Sequence, residues 1–156
     1  MRVIVQRFIR EALSPEHGWG LIEWCRVRGG DEFSLRLMSL DGASPDAHAQ
    51  LKSALLPFHR GTPKREKVTA MAAQKPRHAI DTWSLCPDSA AVLRYHIAGG
   101  LFTAPSYAAT GWVEDFTIYH AGEIMLGLIS HEGLVVLRLT KPEISELNIE
   151  SHETAT

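Results

Sequence analysis

The chain has 156 residues, 45% of them hydrophobic and 22% charged, with a net charge of −2. That length suits one domain with a proper core, and the composition argues against a disordered chain. Near-neutral charge argues against a globally basic nucleic-acid binder, and no segment approaches the ~20 apolar residues of a membrane span. The opening MRVIVQRFIREAL does not read as a signal peptide, because Gln6, Arg7, Arg10 and Glu11 break the apolar run. A cytoplasmic protein is expected. Its two cysteines, Cys25 and Cys86, are too few for a disulfide framework and read as reduced, packed thiols.

Residues 2–13 set Val5, Phe8, Ile9 and Ala12 on one side, which is helical spacing. The β-branched run Val3-Ile4-Val5 makes a strand over 2–8 the alternative. Ser14-Pro15-Glu16 has the form of a cap and first turn, but His17-Gly18-Trp19-Gly20 is expected to interrupt any helix. Residues 21–28 and 33–40 flank Gly29-Gly30-Asp31-Glu32, and Leu35 and Leu37 alternate with Ser34 and Arg36. That pattern predicts a hairpin with one solvated face.

Ser44-Pro45 opens the clearest helix, predicted over 45–56, with Leu51, Ala54, Leu55 and Phe58 on one face and Pro57 as the stop. Thr62-Pro63 repeats the signal and predicts a second helix reaching Gln74. Residues 79–86 read as a short strand. Pro87-Asp88-Ser89 leads into a compact helix carrying Val92, Leu93, His96 and Ile97.

Residues 112–140, WVEDFTIYHAGEIMLGLISHEGLVVLRLT, read as three strands joined by turns at Ala121-Gly122 and Glu132-Gly133. The middle strand is apolar on both faces, so both faces should be covered. Leu126, Leu128, Val136 and Leu137 are expected to be buried. Thr140-Lys141-Pro142-Glu143 opens a short last helix. One α+β domain over 1–149 follows, with 150–156 as a frayed tail. Its architecture should be an antiparallel sheet of about four to six strands, including the C-terminal meander, with helices packed on it.

Charge is unevenly placed. Between His59 and Arg77 stand six bases, Arg60, Lys64, Arg65, Lys67, Lys75 and Arg77, against Glu66 alone. From Val113 onward there are eight acids against Arg138 and Lys141. The basic stretch reads as a solvated helix face, or as a phosphate-binding surface without aromatic platforms. His131-Glu132 lacks a second histidine four residues on, where Val135 stands, so no metal site is expected. Cys86, His96 and Asp81 are the residue types of a cysteine hydrolase, but spacing alone does not bring them together. No catalytic residue, cofactor or metal is assigned.

The stretch EDFTIYHAGEIMLGLISHEGLVVLRL, about thirty residues in the last third, resembles small bacterial immunity proteins of polymorphic toxin systems. That resemblance implies a non-enzymatic inhibitor that binds one toxin domain and blocks its active site. Trp112, Glu114, Asp115 and Phe116 are the candidate partner-binding residues, as aromatic anchors beside carboxylates facing a basic partner. The alternatives are a small hydrolase-type enzyme using His96, His120 or His131, and an RNA-binding accessory protein using residues 60–77.

Overall fold

The computed structural model describes residues 3–8, 15–39, 48–67, 77–97, 111–129 and 132–147. Nine strands lie among them: β1 (Val3–Phe8), β2 (Glu32–Ser39), β3 (His59–Gly61), β4 (Lys64–Glu66), β5 (Arg77–Ala79), β6 (Thr82–Ser84), β7 (Gly111–His120), β8 (Glu123–Ile129) and β9 (Leu134–Leu139). The helices are α1 (Pro15–Val27), α2 (Ala49–Leu55), α3 (Pro87–His96) and α4 (Lys141–Glu146). Seven strands form one antiparallel sheet in the order β1-β9-β8-β7-β2-β6-β3, and β4 and β5 form a separate two-stranded ribbon. This is the expected α+β architecture, extended at one edge by the three-residue strands β6 and β3. Short edge strands limit the unpaired backbone offered to other chains.

The meander β7-β8-β9 forms the middle of the sheet. Ala121 and Gly122 both have positive φ, 50° and 80°, as a two-residue hairpin turn requires. Every residue of β8 after Glu123 is buried, so both of its faces are covered. Leu126, Leu128, Val136 and Leu137 are all buried. On one face Phe33, Phe116, Ile118, Met125, Leu126, Leu128 and Leu137 join Trp19, Ile22, Cys25, Leu55 and Leu93 in a single apolar core. Thr140 and Glu143 cap α4 reciprocally, and an Arg28–Glu146 ion pair ties that helix to the end of α1.

Three stretches differ from the sequence expectation. Residues 3–8 take the strand alternative and pair with β9 from Val3↔Leu139 to Phe8↔Leu134. Residues 15–27 form one helix that runs through Gly18 and Gly20 instead of stopping there. Each glycine costs about 1 kcal/mol in a helix interior. Burial of Trp19, Ile22 and Cys25 along one stripe against the sheet offsets that cost.

Gly29-Gly30 then closes the helix instead of turning a hairpin. Gly30 N–H donates to Cys25 O at 2.9 Å and Gly29 N–H to Arg26 O at 3.2 Å, with Gly29 at φ 99°. This is a Schellman ending. A Cβ on Gly30 would come within 2.8 Å of Ile118 Cγ2, so the turn also seats the helix on β7. In the third stretch, the predicted helix from Thr62 is instead the ribbon β4–β5, with residues 68–76 outside the described residues. Among the described residues, no helix is long and apolar enough to cross a membrane.

Candidate functional site

Strict alternation along β7 would send Phe116 to the same face as Glu114 and Asp115 into the core. A β-bulge prevents this. Ser34 pairs with Thr117 and Arg36 with Glu114, so Asp115 and Phe116 together oppose Leu35. Asp115 takes the extra place with φ 52°, an unusual conformation that Asp tolerates better than most residues. The bulge turns Phe116 and Ile118 into the core and leaves Thr117 and Tyr119 on the opposite face.

That second face is polar where β2 and β7 meet. Glu32, Ser34, Thr117 and Tyr119 are all buried there. The ribbon covers part of it through directed bonds. Arg65 donates from Nε to Glu32 Oε2 at 2.9 Å and from a terminal nitrogen to Oε1 at 3.1 Å. Arg138 of β9 donates to Glu66 at 3.1 Å, and the Tyr119 hydroxyl donates to Glu66 O at 3.1 Å. Burial raises the Tyr119 phenol above its ordinary pKa, against the smaller opposing effects of the Ser34 hydroxyl and Arg65.

Beside these bonds the ribbon and sheet leave a cleft of about 370 Å³. Its floor carries Ser34, Thr117 and Tyr119, and its walls carry Arg36 and Asp115 from the sheet and Lys67 and His78 from the ribbon. Arg36 donates to Asp115 at 3.1 Å. Asp81, at one end, accepts from His59 at 3.0 Å and from Thr62 at 2.9 Å. Those hydrogen bonds, His59 first, hold its carboxyl below the usual range.

The predicted partner-binding residues therefore separate. Asp115 lies on the cleft wall, and Glu114 is half-buried with a partner of its own. Phe116 is 1% exposed and belongs to the core, which removes it from any binding face. The side chain of Trp112 lies outside the described residues. The basic stretch is likewise divided. Arg65 is bonded to Glu32 and Arg60 approaches it at 3.7 Å, whereas Lys64, Lys67 and Arg77 are exposed. Lys75 lies outside the described residues.

The hydrolase set is not assembled. Cys86 is the N-cap of α3, where its sulfur accepts from Ser89 N–H while the Ser89 hydroxyl accepts from Cys86 N–H. His96 ends the same helix, about 15 Å away at 1.5 Å per residue. Asp81 is engaged with His59 and Thr62. His120 is hydrogen-bonded through Nδ1 to Gly29 O at 2.6 Å, in a joint between β7 and the end of α1. His131 lies outside the described residues. Among the described residues no group of three or more His, Cys, Asp or Glu gathers to hold a metal ion.

No family model, no curated protein and no solved structure matches this chain. Its site is read from its own chemistry. Sequence reading missed Ser34, Thr117 and Tyr119, because alternation shows only that they share a face. Lys67 was visible as charge and His78 was not singled out, and their place opposite Arg36 depends on the ribbon. The one available signal was the adjacent acid pair in β7, which uninterrupted alternation could not accommodate.

Proposed function

We propose that this chain is a non-enzymatic protein-binding module of the immunity-protein kind, which inhibits a cognate bacterial toxin domain by direct binding in the cytoplasm. The observation that carries this reading is the bulge at Asp115. A positive φ at a residue other than glycine costs roughly 1–2 kcal/mol. Here it occurs in the middle strand of the sheet and delivers a carboxylate, with Arg36 beside it, to the wall of a cleft. Strain of this kind concentrates where a surface has work beyond folding. Glu114 is the neighbour of Asp115 in sequence, and Trp112 stands near the start of the same strand. The acids that outnumber bases from Val113 onward are the charge that a basic toxin surface would be steered by.

The test is co-purification with a candidate basic toxin domain, followed by association kinetics. Glu114→Lys with Asp115→Asn should lower the on-rate, and the wild-type on-rate should fall as salt rises. Trp112→Ala should mainly raise the off-rate. Binding that ignores salt and both acidic substitutions would overturn the proposed face.

A further inference from the structure

The cleft between ribbon and sheet has a hydrogen-bonding polarity that the partner-binding reading does not use. Its two carboxylates are already served by protein donors: Asp115 by Arg36, and Asp81 by His59 and Thr62. The donors of the walls are not used to the same extent. Among the described residues, Lys67 and His78 form no ion pair, and Arg36 spends only one terminal nitrogen on Asp115. The Arg36 side chain is 52% exposed, so its remaining N–H groups can turn to a ligand.

The floor has the opposite character. Tyr119 donates its hydroxyl proton to Glu66 O, so Ser34, 3.2 Å away, is the donor to Tyr119. Thr117 donates to Asp115 O at 3.1 Å. The three hydroxyl protons are therefore all committed to the protein. What Ser34 and Thr117 retain is acceptor capacity, on side chains more than nine-tenths buried.

We propose that this cleft binds a small hydroxylated anion, with its anionic group between Lys67, His78 and Arg36 and its hydroxyls donating to Ser34 and Thr117. A cleft of about 370 Å³ holds the equivalent of about a dozen waters at ~30 Å³ each. That is the size of a pentose phosphate. The site shares its Arg36–Asp115 wall with the face proposed for a protein partner, but its test needs no partner.

The test is calorimetric titration of the full chain with ribose 5-phosphate, and with inorganic phosphate and ribose as its separated halves. Ribose 5-phosphate should bind at least about tenfold tighter than ribose, through the charged hydrogen bonds of its phosphate, and tighter than inorganic phosphate by about two- to tenfold for each hydroxyl bond to Ser34 and Thr117. Lys67→Ala should weaken it by about tenfold, and Lys52→Ala, on the exposed side of α2, should leave it unchanged. Ser34→Ala should remove the advantage over inorganic phosphate, with the melting temperature lowered only by the loss of its bond to Tyr119. If Ser34→Ala fails to fold, the Lys67 pair still decides. Absence of saturable binding, ribose 5-phosphate binding no tighter than either half, or binding indifferent to Lys67 would each overturn the site.

Discussion

On the helix side of the sheet, Phe116, Ile118, Leu126 and Leu128 are almost wholly buried in one apolar cluster with side chains from α1, α2 and α3. On the ribbon side, Glu32, Ser34, Thr117 and Tyr119 are buried comparably, but through hydroxyl bonds and an ion pair, Glu32 and Tyr119 bonding to β4, which Arg138 of β9 holds through Glu66. Nondirectional packing on the first face accepts any good fit, whereas the second face specifies partners atom by atom. The two faces should therefore respond differently to substitution.

The largest effect belongs to the apolar face. Leu126→Ala or Leu128→Ala should cost about 2–5 kcal/mol in chemical denaturation, since both side chains are fully buried. A loss below about 0.5 kcal/mol would mean that β8 is not packed on both faces. On the polar face, Glu66→Gln should cost less, about 1–3 kcal/mol. Removing one partner of a buried pair can cost about 3–5 kcal/mol. Here Arg138 keeps a second carboxylate, Glu123, at 3.8 Å, and 14% of its own exposure. Equal losses at Leu126 and Glu66 would erase the contrast between the faces.

Tyr119→Phe probes the hydroxyl bonds alone. At neutral pH it should cost about 0.5–1.5 kcal/mol, the net worth of a hydrogen bond. Its pH dependence is more diagnostic. Burial raises the folded pKa, so the folded chain holds the phenolic proton more tightly than the unfolded chain does. That contribution is fully present below the unfolded value near ~10 and is lost as pH rises through the folded value. Wild-type protein should lose stability across that range, and Tyr119→Phe should lose less. Parallel alkaline curves would place the titrating group elsewhere.

How legible each face was follows from the same contrast. The meander could be read because its turn glycines and unbroken apolar runs are local signals. The capping box at Thr140 and the helix start at Pro87-Asp88-Ser89 were local as well. Helix α1 was hidden because Gly18 and Gly20 look like breaks, and because Gly29-Gly30 ends a helix with the same residues that would turn a hairpin. The signal that outweighs the glycines is the stripe Trp19, Ile22, Cys25, which matters only once a sheet lies under it. The ribbon side was less legible still. Glu32–Arg65 spans 33 positions and Glu66–Arg138 spans 72, and no spacing rule reports such pairs. Phe116 was misplaced because one inserted residue reverses the facing of everything beyond it.

The smallest stability effect is expected at that inserted residue. Asp115→Gly removes the carboxylate and its bond to Arg36, an ion pair with half of the Arg36 side chain in solvent, worth about 0–1 kcal/mol. It also relieves the left-handed backbone, roughly 1 kcal/mol in the other direction. The net change should fall within about 0.5 kcal/mol of zero. Asp115→Ala loses the same carboxylate but keeps the strain, so it should be the less stable of the two by roughly 1 kcal/mol. That difference isolates the backbone from the side chain, and melting curves of the two variants measure it directly. If Asp115 is there for folding, both variants should be clearly destabilised and the glycine form should gain nothing. If the bulge is there to present a carboxylate, the glycine variant should fold as well as wild type while its association with the toxin domain slows. A stable Asp115→Gly protein with unchanged association kinetics would leave the strain without a binding role and remove the reason for placing the partner at this rim.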